Sequence, residues 1–402
     1  MKVLMQSRSN FYELKGGDTT QLLKTKEELE KLGVTVDISL EYSPDLSDYD
    51  IVHLSNVTVV HETYLQMLNA KKQGKPVVLS TIFWPMDNFE QNGQFGIRKT
   101  INKYFGINNI ERIKALGRMI KNKSSRNKAT CNLITIGYKE MQNYVVNNAD
   151  LYLPNAEIEM KVFNEYFGIK KNNYLVVPNA IDAEIAKRKF YENTPKEFEQ
   201  YRGSIICVGR IEPRKNQLAL VKSLNGTNLP LILVGAISKN QVEYFQEVDK
   251  YIKQNESFHY LGTIDYEKLY QLYKVCKVSV LPSWLDTPGL VSLEAASMGC
   301  NLAISTRGST REYFGDNAFY CEPDDLESIK NAVLAAYEKP QNDILKDKIF
   351  NEYTWGNAAR KTLEGYQMVL EDHFENERGK NEKNYVGFWY KTRSNKNVST
   401  CQ

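Results

Sequence analysis

Short apolar runs alternate along the chain with longer stretches whose apolar residues recur every three or four positions. The first series of runs covers 2–6, 34–39, 51–54, 77–83, 149–154 and 174–178. A second series covers 204–208, 231–234, 259–261, 278–281, 302–305 and 319–321. Apolar runs separated by helical patterns are the signature of parallel strands joined by helical crossovers. Each series therefore predicts one doubly wound α/β sheet.

The helical stretches carry their own boundaries. In GGDTTQLLKTKEELEKLG, Gly16 and Gly17 precede Thr19, Leu22, Leu29 and Leu32 share a face, and Gly33 stops the helix. Paired glycines before a helix permit positive φ and close approach of the backbone to a ligand. Further helices are predicted over 216–224, 242–254, 266–276 and 290–298, and no strand is expected beyond Pro340. The resulting organisation is a first Rossmann-like domain over 1–182, a charged connection over 183–202 and a second such domain over 203–345. A helical segment over 346–373, which can return to the first domain, and a mobile polar tail over 374–402 complete the chain.

Composition narrows the class. With 402 residues the chain is long enough for two domains, and 42% hydrophobic with 25% charged residues is ordinary for a soluble globular protein. Cys131, Cys207, Cys276, Cys300, Cys321 and Cys401 are scattered without metal-ligand spacing, as expected of reduced thiols in the cytoplasm. KVLMQSRSN at the start reads as a strand and not as a signal peptide. No apolar run approaches the roughly 18 to 20 residues of a membrane span, so any membrane association would be peripheral.

Candidate chemistry concentrates at predicted strand ends. In LPSWLDTPGLVSLEAASMG a buried strand passes through Pro288 and Gly289 into a short helix closed by Gly299. Asp286 and Glu294, with seven residues between them, flank the helix start, where free N–H groups favour an anion. Carboxylates beside such an anion site can hold the hydroxyls of the same ligand. VGRIEPRKNQ places Arg210 and Lys215 after the first strand of the second domain, where two cations would neutralise a diphosphate. Asp48 and Asp50 resemble a metal-binding D-x-D pair, but an acidic turn leading into a strand accounts for them. His53 closes that strand and is a candidate for contact with substrate or for a structural role; His61 reads as a loop histidine. Over 98–128 ten Lys and Arg face a single acid, Glu111, and Ile113, Leu116, Met119 and Ile120 recur at helical spacing. Such a basic amphipathic helix either meets an anionic surface or acceptor, or packs its apolar stripe on the core.

These stretches resemble the retaining GT-B glycosyltransferases of family 4. WLDTPGLVSLEAASMG resembles the family's E-x7-E segment, VGRIEPRKNQ its V-G-R-x-x-x-x-K-N loop, and VVPNAID the join between its domains. LGTIDYEKLYQLYKVCKVSVLPS is similar to the segment leading into the carboxylates, and the likeness is thin across the first domain. The resemblance implies a GT-B fold of two Rossmann-like domains facing a cleft and a nucleoside-diphosphate sugar, UDP- or GDP-linked, as donor. It implies that Arg210 and Lys215 hold the diphosphate, that Glu294 binds ribose and that Asp286 contacts the donor sugar, making Asp286, Arg210 and Lys215 the catalytic set. Pro288, Gly289, Leu290 and Val291 would meet phosphate, Ile264 would frame the base, and Gly16 and Gly17 would close from the other domain.

The acceptor implied is a glycan or lipid-linked envelope precursor, with His53 and Trp84 as candidate contacts. No metal or other cofactor and no nucleic acid is expected. The protein would act in the cytoplasm, with an anionic membrane surface as a peripheral partner through 98–128. Two departures stand out: Asp286 replaces the usual Glu, and STIFWPMD offers Trp84 where the family often has a histidine. Two alternatives remain open, a nucleotide-sugar epimerase of the same architecture and a degenerate transferase acting as a binding or chaperone subunit.

Overall fold

The computed structural model describes residues 1–14, 16–96, 107–121, 123–238, 240–341 and 343–394. Its strands are β1 Lys2–Gln6, β2 Thr35–Ser39, β3 Ile51–Ser55, β4 Val77–Ser80, β5 Leu151–Leu153, β6 Ile205–Val208, β7 Leu231–Val234, β8 Phe258–Tyr260, β9 Val278–Leu281, β10 Asn301–Ser305 and β11 Phe319–Cys321. They form two sheets, ordered β2-β1-β3-β4-β5 and β11-β10-β9-β6-β7-β8. Every pairing within them is parallel. The central strands β4, β6, β7 and β9 are buried at every residue, which is why they read as unbroken apolar runs. Edge strand β2 has alternate residues exposed at its start.

Residues 174–178, expected as a sixth strand of the first sheet, form only a bridge between Tyr174 and Tyr152. The Leu175 and Val177 N–H groups still donate to Tyr152 and Pro154, but Pro154 and Pro178 lack the N–H groups that a longer ladder needs. Helix Gly17–Lys31 buries Leu22 and Leu29 and ends before Gly33 at φ +83°, whereas Leu32, expected on the same face, is at the helix end and 40% exposed. The connection after Asp182 is largely helical, as Ala183–Tyr191 and Lys196–Glu199, and buries Ala186 and Phe198 in the core of the second sheet.

The last helix, Trp355–Ser394, crosses back to the first sheet. Trp355, Ala358, Ala359, Tyr366 and Val369 pack there against Val3, Met5, Leu22 and Leu29. The helix runs on through the polar stretch from 374 as far as Ser394, and no proline follows Pro340 to stop it. Residues 395–402 lie outside the described part.

The two passages of chain between the sheets run side by side. Ile181 N–H donates to Tyr353 O at 2.9 Å, and Trp355 N–H donates to Ile181 O at 3.3 Å. Next to them, the Tyr313 hydroxyl of the second half donates to Asn155 O at 2.5 Å and accepts from Asn179 N–H at 2.8 Å. The duplicated Pro-Asn-Ala segments are thus pinned by one phenol, whose ring stacks on Tyr353 at 4.8 Å. Glu312 accepts the N–H groups of Glu157 and Ile158, capping helix Glu157–Phe167 from across the junction.

Tyr313→Phe keeps the stack but leaves the buried Asn179 N–H without an acceptor. A loss of ~1–3 kcal/mol is expected, read as a lowered urea midpoint with an unchanged far-UV circular dichroism spectrum.

Candidate functional site

Both sheets have a switch point, where the chain leaves one strand for neighbours on opposite sides. In the second sheet it is β6, between β9 and β7, and in the first it is β1, between β2 and β3. Loops after such strands diverge and leave a crevice at the carboxyl ends. Gly17, after β1, and Leu290, after β9, meet across it: a Cβ on Gly17 would lie 3.7 Å from Leu290 Cδ1. Leu290 packs against the cores of both halves. Neither Gly16 nor Gly17 uses the positive φ that glycine permits; Gly16 is extended at φ −144°. Space for the facing loop remains a reason for glycine at position 17.

The loops after β6 and β9 are bonded into one unit. Trp284 N–H donates to Arg214 O at 2.9 Å. Asn216, in the left-handed region at φ +64°, sends its amide to Pro282 O at 3.0 Å and Pro323 O at 2.7 Å. That turn folds Lys215 back beneath Gly209 and aims it at Asp286. Lys215 Nζ lies 2.7 Å from Oδ1 and 2.9 Å from Oδ2 of Asp286, and each side chain is 12% exposed. Burial pushes the Lys215 ammonium below its ordinary pKa, and the Asp286 charge offsets this only in part. Burial alone would raise Asp286, but Lys215 and Arg214 together hold it below the usual carboxylate value.

Arg214 was not singled out from the sequence. Its Nη1 donates to Leu285 O at 2.9 Å and lies 3.7 Å from Asp286 Oδ1. The signal available was its place beside Lys215, on the single turn Pro213–Lys215. Arg210, which was singled out, does not join the pair: it is 47% exposed, with Nη2 3.6 Å from Glu212 Oε1.

Glu294 lies on helix Leu290–Ser297 and is buried at 5% exposure. Burial pushes its carboxyl up to about 7, against a single hydrogen bond from Tyr266. One donor for a group with four lone-pair positions leaves acceptor capacity for ligand hydroxyls. The two carboxylates are therefore driven in opposite directions, Asp286 by cations and Glu294 by a hydrophobic, tyrosine-rich wall. Pro288 is buried before the helix start, Val291 lies in its first turn, and Ile264, after β8, packs against the second core.

Backbone shape at the loop depends on two glycines. Gly289, at φ +85°, begins the helix, and a Cβ there would fall 2.7 Å from Leu281 Cδ2. Gly308, at φ +95°, presses against the Asp286 backbone so closely that a Cβ would fall 1.7 Å from its carbonyl oxygen. Sequence reading missed Gly308 because its constraint is a contact with a distant loop. Close by in sequence, the Ser292 and Ser309 hydroxyls are buried without a partner among the described residues.

On the first sheet, His53 is buried, with Nδ1 2.6 Å from Tyr366 Oη and Nε2 2.8 Å from Ser80 Oγ. Both ring nitrogens are occupied, and burial lowers its pKa to about 4, so the neutral ring braces Tyr366 against Ser80. Trp84 is half-buried beyond β4, and its indole N–H is enclosed without a partner among the described residues. Asp50 accepts the Lys2 N–H at 2.7 Å, consistent with an acidic turn. Among the described residues no cluster of His, Cys, Asp and Glu could hold a metal ion.

Residues 190–354 match the protein family described as glycosyl transferases group 1. This part of the chain is a glycosyl transferases group 1 domain. It contains the Lys215–Asp286 pair, Glu294 and both glycines. The Escherichia coli O-antigen chain mannosyltransferase B is 26% identical over 179 residues, covering 42% of this chain and 47% of that protein. The chain spans about half the length of the curated relatives it matches. Over the whole chain the fold is GT-B, as in sucrose-phosphate synthase from Thermosynechococcus elongatus. That structure matches at TM-score 0.58 and 14% identity, over 96% of this chain and 100% of the other. The Anabaena protein HepE, crystallised with UDP, matches at TM-score 0.59 and 15% identity, over 94% and 100%.

Two outcomes follow for the glycosyl transferases group 1 domain. Gly308→Ala should lower the thermal midpoint and release the Asp286 loop, measured as faster amide exchange at 284–289, because neither the Cβ nor the positive φ is accommodated. Glu294 has its folded pKa above the unfolded value, so its contribution is full below about 4.5 and is lost as pH rises through about 7. Glu294→Gln should remove a decline of up to roughly 3 kcal/mol in unfolding free energy between pH 5 and 8, measured by urea titration of both proteins.

Proposed function

We propose that the protein is a retaining glycosyltransferase that moves a sugar from a UDP- or GDP-linked donor to a hydroxyl of a glycan or lipid-linked envelope precursor. The observation that carries the reading is the buried Lys215–Asp286 pair, backed by Arg214, at the switch point of the second sheet and next to a helix start. The mannosyltransferase relative and the neighbour crystallised with UDP support the same class of donor.

In this reading Lys215, Arg210 and Arg214 face the donor diphosphate, and the N–H groups of Leu290 and Val291 complete the anion site. Glu294 accepts the ribose hydroxyls, Asp286 orients the donor sugar, and the backbone at Ile264 borders the base. The bond between the anomeric carbon and phosphate breaks as the acceptor oxygen bonds that carbon. Charge developing on the leaving diphosphate is met by the fixed cations. Because His53 is engaged elsewhere, the acceptor proton passes to a phosphate oxygen of the leaving group. Trp84 stands on the acceptor side. No resident metal takes part in this scheme, and the unpaired cysteines among the described residues fit a cytoplasmic site of action.

Thermal shifts with UDP, GDP and ADP, followed by hydrolysis of the corresponding sugar donors, test the reading. UDP or GDP should raise the midpoint, and Lys215→Ala and Glu294→Ala should each lower turnover at least about tenfold while the protein stays folded. Wild-type turnover in either variant would remove that residue from the site. Rapid interconversion of a free donor without acceptor would replace transfer by epimerisation.

A further inference from the structure

Arg8 follows β1, the switch strand of the first sheet, and its side chain is 14% exposed. The chain after it bends round the guanidinium. Nε donates to Asp18 Oδ2 at 2.9 Å, and Nη1 donates to the side-chain oxygen and the carbonyl of Asn10 at 2.6 and 3.3 Å. Nη2 donates to Leu14 O at 2.5 Å and lies 3.3 Å from both Asp18 Oδ1 and Thr19 Oγ1. The five N–H groups of an arginine therefore face six acceptors, and none is left over for a ligand. Lysine, with three donors on one atom, could not span these positions.

This knot controls the start of helix Gly17–Lys31. Asp18 lies in its first turn, where an unpaired carboxylate would repel an incoming anion; the guanidinium cancels that charge. A Cβ on Gly16 would fall 2.8 Å from Asp18 Oδ1, an oxygen that Arg8 keeps from turning away. Glycine is thus required at position 16 although its backbone is extended. Upstream, Ser9 fixes the path by donating its N–H and hydroxyl to Glu62 at 2.5 and 2.8 Å, and Phe11 is fully buried. Downstream, Gly17 meets Leu290, the first residue of the helix that carries Glu294.

We infer that Arg8 is a positioning residue for the donor diphosphate: acting through Asp18, it holds Gly16 and Gly17 so that their backbone faces the phosphates from the first half. It touches no ligand itself. The inference rests on the proposed donor site, because a diphosphate at the Leu290 helix start is what the Gly17 backbone would meet. Stability alone is a weaker account, since partly exposed ion pairs contribute little. Loop closure alone would not call for one planar group bonded at four separate residues.

Calorimetric titration of the full chain with UDP and with uridine tests it, because the ratio of the two dissociation constants isolates the diphosphate contact. GDP and guanosine replace them if the thermal shifts select GDP. Arg8→Lys keeps the charge and loses the fork; it should weaken UDP at least about tenfold and uridine less than about twofold. Gly16→Ala pushes Asp18 off the guanidinium from the other side and should show the same selective loss, which decides the matter if Arg8→Lys does not fold. Because both changes act on one contact, the double variant should bind UDP within about twofold of the weaker single variant. Equal weakening of UDP and uridine, fully additive losses in the double variant, or unchanged UDP affinity would each overturn the inference while leaving the donor site in place. A wild-type protein that binds neither UDP nor GDP would remove the donor site, and the inference with it.

Discussion

The ion pair between Lys215 and Asp286 is the constraint around which the second half is arranged. Removing two charges from water costs several kcal/mol per ion after relaxation, and their attraction repays this only with close geometry. An apolar pair of similar volume would stabilise the sheet at least as well. Here both carboxylate oxygens are engaged, Arg214 adds a second cation, and Asn216 and Gly308 pin the two loops. So much supporting structure around an interaction with little net stability fits the proposed role of the pair, in which a donor diphosphate needs charge fixed in advance.

The same logic reaches across the cleft. Leu290 touches both cores, Gly17 faces it, and Asn179 sends its amide to Thr287 O at 2.8 Å, so the loop bearing Asp286 is braced from the first half as well. Beside these apolar contacts, polar links join the halves at the Tyr313 hydroxyl, the Glu312 carboxylate and the paired passages at Ile181 and Thr354.

Legibility in the sequence followed the physics of each element. Strands β7 and β9 have the limits expected from their apolar runs, because strands buried on both faces leave an unbroken signal. Residues 174–178 gave the same signal, but two prolines interrupted the ladder. The last helix outran its expected end because a polar helix lacks the apolar period that marks its limits. At the site, Asp286, Lys215 and Glu294 were found from loops at strand ends. Arg214 and Gly308 were not, since each is defined by a contact across the fold. His53 was ambiguous until Tyr366, 313 residues away, was seen to occupy one of its nitrogens. Only packing could tell which side of the basic helix Ile107–Lys121 was buried: Ile110 and Ala115 are, and Ile113, Leu116 and Ile120 are exposed. Arg98, Lys99 and Lys103 of that basic stretch lie outside the described residues.

The shorter acid at position 286 now has a physical context. Its loop cannot retreat, because the Asp286 carbonyl lies against Gly308, and it cannot easily advance, because Leu285 O is held by Arg214. Lys215 already meets both carboxylate oxygens at 2.7 and 2.9 Å. One more methylene would carry the carboxylate roughly 1.5 Å further, into the ammonium, unless Lys215 withdrew from beneath Gly209. Aspartate and lysine are therefore a matched set in this chain. A longer acid would demand a different lysine position, and with it a different location for the buried positive charge.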